Sequence, residues 1–540
     1  MTTTTAPTTD APLSQSSLIR EFTVPLPDFV KRRPEWLRVG GVLLFILLVT
    51  LWVRTRYVGQ QFWMDEAITV GISSHSLSSI PGILRMDGSP PLFYMLLHFW
   101  MQLVGNGQAA THWLSEIFGL LLIPVGYWGG RTIAGRKAAL VCAFLLGFNG
   151  FLDYYSVETR MYELMALLGL LATIGFINAF VYRRRAYLPL FTIAQALMFY
   201  THAWAIYFGA GSFLTLVALV YLSEPAARKS LARDALMAYI AAVVLFLPWI
   251  PNFIFQAIHT AAPWDNPPRF GVVIQVIEGV LGGASIGVVM IVSAGIGYSG
   301  LVTKRGRMTI EARVALVLLM IPVLTLILAW CGSQITPNWV VRYFAPIVPA
   351  LLMLLGIGIS RAGLIGTLAI LFVFFFMIRP SAFMPQYKSD MQDIGGEMKP
   401  LMHQGDLVIV AQPEQVPLAY YYLPAGLRFS STIGPVSSPT YMDWVNALPR
   451  LKASNPQTVL TKEINSLKPG QQLLYIRPMT EGVANWSAPW TKEIRRKAAQ
   501  WGAIIAADVQ AGKLVQEAWA PHNYRGAPDI ADSAVLYKKV

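Results

Sequence analysis

The chain has 540 residues, 55% of them hydrophobic and only 13% charged. No soluble domain of this size needs so apolar a composition to fill its core, so the bilayer is the solvent for most of the chain. The formal charge of +13 lies in clusters between apolar runs, where bases set membrane orientation and meet anionic headgroups, which argues against nucleic acid as a partner.

Met1 to Ser17 is rich in Thr, Ser and Pro and is expected to be disordered. Lys31-Arg32-Arg33 precede a full-length apolar span, which is not the layout of a cleaved signal peptide. They place the amino terminus in the cytoplasm. Apolar runs then recur at about 40–53, 110–130, 138–152, 161–181, 187–201, 203–222, 235–250, 271–300, 312–331, 343–360 and 363–378. With these eleven spans the basic clusters at Arg131/Arg136/Lys137, Arg183-Arg184-Arg185, Arg228/Lys229/Arg233 and Lys304/Arg305/Arg307, and the single Arg361, all fall inside. The dozen apolar residues from Leu92 to Leu103 open after Pro90-Pro91 and carry His98, so an interfacial helix is expected there instead of a crossing.

Past Arg379 the apolar spans stop. Runs such as Asp406 to Val410 and Gln472 to Ile476 predict β-strands in a water-facing α/β domain. The expected division is therefore a cytoplasmic segment 1–36, a membrane domain 37–379 and an extracytoplasmic domain 380–540. Trp444, Trp486, Trp490 and Tyr420-Tyr421-Tyr422 are either core or a surface for an acceptor glycan. Cys142 and Cys331 both lie in or beside apolar spans, which excludes a disulfide framework.

The external loops begin at Arg54, Asp153, Pro251 and Gly332 and hold most of the unusual polar residues. The first contains Trp63-Met64-Asp65-Glu66-Ala67 and Asp87-Gly88-Ser89-Pro90-Pro91-Leu92-Phe93-Tyr94. Carboxylates desolvated beside a membrane gain proton affinity and suit general-base work, although Asp65 or Glu66 also has the position of a helix cap. The second loop ends in Glu158-Thr159-Arg160-Met161-Tyr162, where an arginine can clamp a phosphate and a tyrosine can carry a sugar ring or isoprenoid. Thr201-His202-Ala203-Trp204 interrupts two spans with a polar step, and Arg342-Tyr343 stands at the outer edge of another. Each of these also has a plain reading, as an interfacial belt or a satisfied helix turn. No spacing of His, Cys and Asp binds a metal firmly, although Asp65 and Glu66 can share a divalent ion.

In this order and spacing, Trp63-x-Asp65-Glu66-Ala67, Asp87-x-x-Pro90-Pro91-Leu92-x-Tyr94, Glu158-x-Arg160-x-Tyr162, Thr201-His202 and Arg342-Tyr343 resemble the membrane glycosyltransferases of the GT-C fold. The nearest branch is similar to protein O-mannosyltransferases, lipid A aminoarabinose transferases and actinobacterial arabinosyl- and mannosyltransferases. The resemblance runs from about Phe62 to Ile378. It implies an inverting transfer of a sugar, arabinofuranose or mannose favoured, from a polyprenyl-phosphate donor to a hydroxyl of a cell-envelope glycan, lipid or protein outside the plasma membrane. It also implies that Asp65 is the base and Glu66 its acidic partner, with Arg160, Tyr162, His202, Arg342 and Tyr343 lining the donor or acceptor cavity; Asp87, Glu158 and Trp204 are expected to bind donor or acceptor beside them. Ser156-Val157-Glu158-Thr159-Arg160 departs from the more usual Ser-Gln-Glu-Ala-Arg, which leaves the role of Glu158 open. The alternative is a transporter or lipid-linked-sugar flippase, which also needs many helices with polar residues inside.

Overall fold

The computed structural model describes residues 34–261, 264–299, 301, 308–379, 388–479, 487–520 and 531–540. The clusters at Lys31 to Arg33 and Lys304 to Arg307, the segment Met1 to Ser17 and Trp486 lie outside the described residues.

Helix α1 (Glu35–Thr55) is followed by three shorter helices: α2 (Met64–Ser73), α3 (Ile80–Asp87) and α4 (Leu92–Val104). Next come α5 (Gln108–Ala134), the bent pair α6 (Arg136–Gly147) and α7 (Gly150–Ser156), and α8 (Tyr162–Phe176), which runs on as a π turn to Val181. The membrane part continues with α9 (Leu188–Thr201), α10 (Ala205–Leu222), α11 (Pro225–Phe246), α12 (Ile250–His259), α13 (Val272–Val280), α14 (Ala284–Tyr298), α15 (Ile310–Ile335), α16 (Val348–Ile359) and α17 (Gly363–Met377). Helices are the expected solution for lipid, because each satisfies its own backbone polar groups. Large apolar side chains such as Phe45, Leu48, Phe213, Val217, Ile240, Val244, Ile291, Ile327 and Phe375 are exposed on their outer faces, where acyl chains would cover them.

Each of the eleven predicted spans falls on a helix. Seven helices are long and apolar enough to cross a membrane, or nine if each bent pair is one span, among the described residues. Helices α9 and α17, at 14 and 15 residues, are shorter. Three details differ from expectation, the first being that the span predicted over 138–152 is bent by 51° between α6 and α7. The segment predicted as one span over 271–300 is broken by Gly282 and Gly283, whose φ values of 89° and 111° only glycine adopts easily, and its halves meet at 81°. The loop expected from Pro251 is instead helical, and Pro225–His259 runs for 35 residues. Pro248 and Pro251 each sit in the first turn of a successive helical segment, where the missing N–H costs nothing.

The carboxy-terminal part is a six-stranded mixed sheet of order β3-β2-β1-β4-β6-β5, with β1 (Leu407–Val410), β2 (Arg428–Ser431), β3 (Gly434–Val436), β4 (Gln472–Pro478), β5 (Leu514–Ala520) and β6 (Asp532–Lys539). Strand β1 is parallel to both neighbours, and the other pairs are antiparallel. Strand alternation divides its side chains between two cores. Leu407, Ile409, Leu473 and Tyr475 pack with Trp501 and Ile505 of α22 (Pro489–Gln510), the last of the five helices here after α18 (Met391–Met398), α19 (Val416–Tyr422), α20 (Ala447–Ala453) and α21 (Pro456–Asn465). Val408, Val410, Leu474 and Ile476 belong to the core that continues into the membrane helices. The sheet is thus seated on the membrane part, not tethered beside it. Tyr422 Oη accepts the Phe62 N–H at 2.8 Å, His75 Nε2 lies 2.8 Å from Thr440 Oγ1, and Trp444 N–H donates to Met86 O at 3.0 Å. Trp490 is buried and packs on Trp444 at 5.2 Å, the core reading for that pair, whereas Tyr420 is exposed.

Close backbone approach sets the placement of the segment that carries Arg342. A Cβ at Gly169 on α8 would lie 2.3 Å from the Pro346 carbonyl oxygen of the 3-10 turn Val341–Ile347. Gly169→Ala is expected to force that turn outward and cost about 1–3 kcal/mol. A lowered melting temperature in detergent would register it; an unchanged one would show that the packing yields.

Candidate active site

Trp63 precedes α2 in an extended conformation, and its N–H donates to Glu66 Oε2 at 3.3 Å. Glu66 at the third helical position therefore performs the capping expected of one of the two acids. Its carboxylate has no exposed surface and takes three more hydrogen bonds. His112 Nε2 and the Thr159 N–H meet Oε1 at 2.7 and 2.8 Å, and Lys388 Nζ meets Oε2 at 3.1 Å. Burial would raise its pKa, but Lys388 and His112 outweigh that and hold it down at about 2.

With Glu66 taken up by these contacts, Asp65 is the acid left accessible, its side chain 23% exposed. Two arginines converge on its Oδ2: Arg342 at 3.5 Å and Arg160 at 3.8 Å. Arg160 is positioned by Thr69 Oγ1 at 2.7 Å, the Asp65 carbonyl at 3.3 Å and Tyr94 Oη at 3.5 Å. Arg342 donates through Nε to Tyr162 Oη at 2.9 Å and lies over the rings of Trp63 and Tyr343 at 5.0 and 5.5 Å. These contacts fix both guanidinium planes while leaving N–H groups available for an anion.

An aromatic wall stands beside the arginines. His202 and Tyr343 are 4.7 Å apart, Trp204 and Tyr343 5.1 Å, and Tyr162 lies 6.4 Å from Tyr343. His202 Nδ1 accepts the Trp204 N–H at 3.1 Å, so its proton belongs on Nε2. Burial, with Arg160 and Arg342 nearby, pushes its pKa down to about 3, which makes it a neutral hydrogen-bond donor at ordinary pH.

The structure thus brings Asp65, Arg160, Tyr162, His202, Trp204, Arg342 and Tyr343 together. Asp87 stands behind Arg160; burial raises its pKa to about 6 against hydrogen bonds from Ser89 and the charge of Arg160. Glu158 is buried with Glu66, its Oε2 without a partner among the described residues, and burial lifts it to about 7 despite Lys388. Sequence reasoning missed Thr69, His112, Thr159 and Lys388. Thr69 lay one helical turn after Asp65 and was legible from that spacing; Lys388 gave no signal. Among the described residues no group of three or more His, Cys, Asp or Glu is arranged to hold a metal. The Glu66 carboxylate is taken up by its four protein donors.

The helical scaffold, the acidic first turn of α2 and the seated sheet define the class: the chain has the GT-C fold of membrane glycosyltransferases. It is similar to ArnT from Cupriavidus metallidurans in the apo state, with a TM-score of 0.60 and 12% identity over 92% of this chain and 98% of that one. The same enzyme bound to undecaprenyl phosphate gives 0.58 and 14%, with the same coverage. Arabinofuranosyltransferase AftD from mycobacteria aligns at 0.48 and 14% identity over 94% of this chain and 42% of its own. At these identities the likeness is one of fold. No family model and no curated protein matches the sequence.

Glu66→Ala would strand Lys388 and three other donors, and a loss of roughly 3–5 kcal/mol in stability is expected. Because the folded pKa is depressed, the stabilisation is complete above the unfolded value of about 4.3 and is lost as pH falls toward 2. Melting curves from pH 7 to 3 check both points: the difference between parent and variant should shrink on acidification.

Proposed function

We propose that the chain is an inverting glycosyltransferase that moves a sugar from a polyprenyl-phosphate donor to a hydroxyl of an extracytoplasmic cell-envelope acceptor. The convergence of Arg160 and Arg342 on the Asp65 carboxylate carries this reading, because it joins a base and a phosphate clamp at one opening. That ArnT has been solved with undecaprenyl phosphate supports a donor of this class. Arabinofuranose and mannose are the favoured sugars on the family resemblance, and the acceptor is a glycan, lipid or protein.

In the reaction Asp65 takes the proton of the acceptor hydroxyl while its oxygen forms a bond to the anomeric carbon. The bond from that carbon to the phosphate oxygen breaks on the opposite face, and the phosphate leaves with the electron pair. Arg160 and Arg342 stabilise the charge that builds on it. His202, through Nε2–H, and the Tyr162, Tyr343 and Trp204 rings hold the sugar. Asp87 supports Arg160. The membrane domain 37–379 carries the chemistry, and residues 380–540 form the outer domain in a plasma-membrane protein. A transporter would gather its polar groups midway across the bilayer; here they cluster where α2, the loop before α8 and the seated sheet meet.

Asp65→Asn keeps the size of the side chain but cannot take a proton, so transfer from a polyprenyl-phosphate sugar is expected to fall by roughly two to four orders of magnitude. Donor consumption by the purified variant at the parental rate would move the base elsewhere. For sidedness, a cysteine at exposed Asn266 should react with a membrane-impermeant thiol reagent in intact cells, and one at exposed Ala186 should not, in a chain with Cys331 replaced by Ser. The reverse pattern would put the site in the cytoplasm.

A further inference from the structure

We propose that Lys388, at the entry to the sheet domain, is a positioning residue for Asp65: it supplies the cation that lets the buried carboxylates beneath α2 hold the first and second loops together. Lys388 comes ten residues after the last membrane helix's C-cap, Ile378, in chain that looks soluble, yet its side chain is only 3% exposed. Its Nζ donates to Glu66 Oε2 at 3.1 Å and to the Val157 carbonyl at 2.9 Å. One ammonium group therefore joins the residue beside Asp65 to the residue beside Glu158.

The surrounding charges make that ammonium necessary. Glu66 is met by His112 and by the N–H groups of Trp63 and Thr159, while Tyr421 and Tyr422 of the sheet domain lie close to it. Glu158 is buried near Glu66, Asp65 and the two tyrosines Tyr154 and Tyr155, with Arg342 also within electrostatic range. Without Lys388 two neighbouring carboxylates share a water-excluded space with too little positive charge, and one of them must take up a proton. Glu66 also loses one of its four donors, the one that ties it to Val157, so the start of α2 loosens and Asp65 with it. The rest of the domain grips the same helix. A Cβ at Gly71 would lie 1.8 Å from the Thr440 carbonyl oxygen, and in the chain just before the helix Gln61 Nε2 reaches the Ser389 carbonyl at 3.4 Å. The sheet domain is thereby part of the catalytic assembly.

The activity readouts of this inference rest on the proposed transfer reaction; the pairing itself does not. In the full-length chain Lys388→Met is expected to lower kcat by about a hundredfold, the size of effect a small displacement of a catalytic group produces. KM for the donor should change little, and the acidic limb of the pH–rate profile should move to higher pH. Lys388→Arg should recover part of the rate, and the double variant Glu66→Gln/Lys388→Met should be less impaired than Lys388→Met alone. Thr440→Val, which removes the His75 contact without changing a charge, should keep the parental pH profile. The melting temperature should differ more between parent and Lys388→Met at pH 8 than at pH 6. A parental rate and profile in Lys388→Met would overturn the proposal, and so would a loss of rate with an unmoved profile. A pH-dependent melting difference in a chain that transfers no sugar would uphold the pairing and remove the reaction.

Discussion

A single buried carboxylate holds four parts of the chain in register. Glu66 receives hydrogen bonds from the start of its own helix through Trp63, from α5 through His112, from the second loop through Thr159 and from the sheet domain through Lys388. Isolated in a low-dielectric interior such a group would neutralise itself; surrounded by four donors it stays charged and becomes directional. Everything at the opening depends on this. The helix can present Asp65 to the arginines because its neighbour is anchored below, and the second loop can bring Arg160 to Thr69 because Thr159 is tied to the same oxygen.

A second polar network steadies the loop from the membrane side. Arg54 at the end of α1 is almost fully buried, with Nε 2.6 Å from Asp153 Oδ1 on α7 and Nη1 3.9 Å from Glu116 Oε2 on α5. Glu163 at the start of α8 is close by: a Cβ at Gly119 would sit 2.5 Å from Arg54 Nη1 and 3.0 Å from Glu163 Oε2. Ionisable groups inside a membrane protein are costly unless paired, and these are grouped around the residues that begin and end the second loop. The loop is thus fixed by charge at its Asp153 end, while both Glu163 carboxylate oxygens lack a hydrogen-bond partner among the described residues, and its middle, Val157 to Arg160, is what faces the site.

What the sequence made legible follows from the range of the forces involved. Apolar length and basic clusters act locally, so the spans, the strands read at 406–410 and 472–476 and the acidic turn at Asp65-Glu66 were readable one segment at a time. The bend at Gly282-Gly283 and the continuous helix through Pro248 and Pro251 were not, because a glycine pair or a proline near a helix start is compatible with either outcome until tertiary packing decides. At the site, Arg160, His202 and Arg342 were visible as polar residues out of place at span ends. Lys388 was not, since a lysine in a polar segment is unremarkable; its function arises from a contact 322 residues away in sequence.

The clamp also bears on the order of events in the proposed reaction. Asp65 Oδ2 faces both guanidinium groups, Arg342 at 3.5 Å and Arg160 at 3.8 Å. A polyprenyl-phosphate sugar is a phosphodiester with one negative charge, and its phosphate competes for the same arginines. As they turn to it, the Asp65 carboxylate is freed to accept the hydrogen bond of the acceptor hydroxyl that attacks the anomeric carbon. When the glycosidic bond breaks, the phosphate becomes a monoester and its charge grows toward two. The arginines therefore bind the transition state more tightly than the donor, which is the condition for binding energy to accelerate the chemical step. One pair of cations would restrain the base before the donor arrives and stabilise the leaving group afterwards, and this explains why acid and arginines share one opening instead of lying on separate walls.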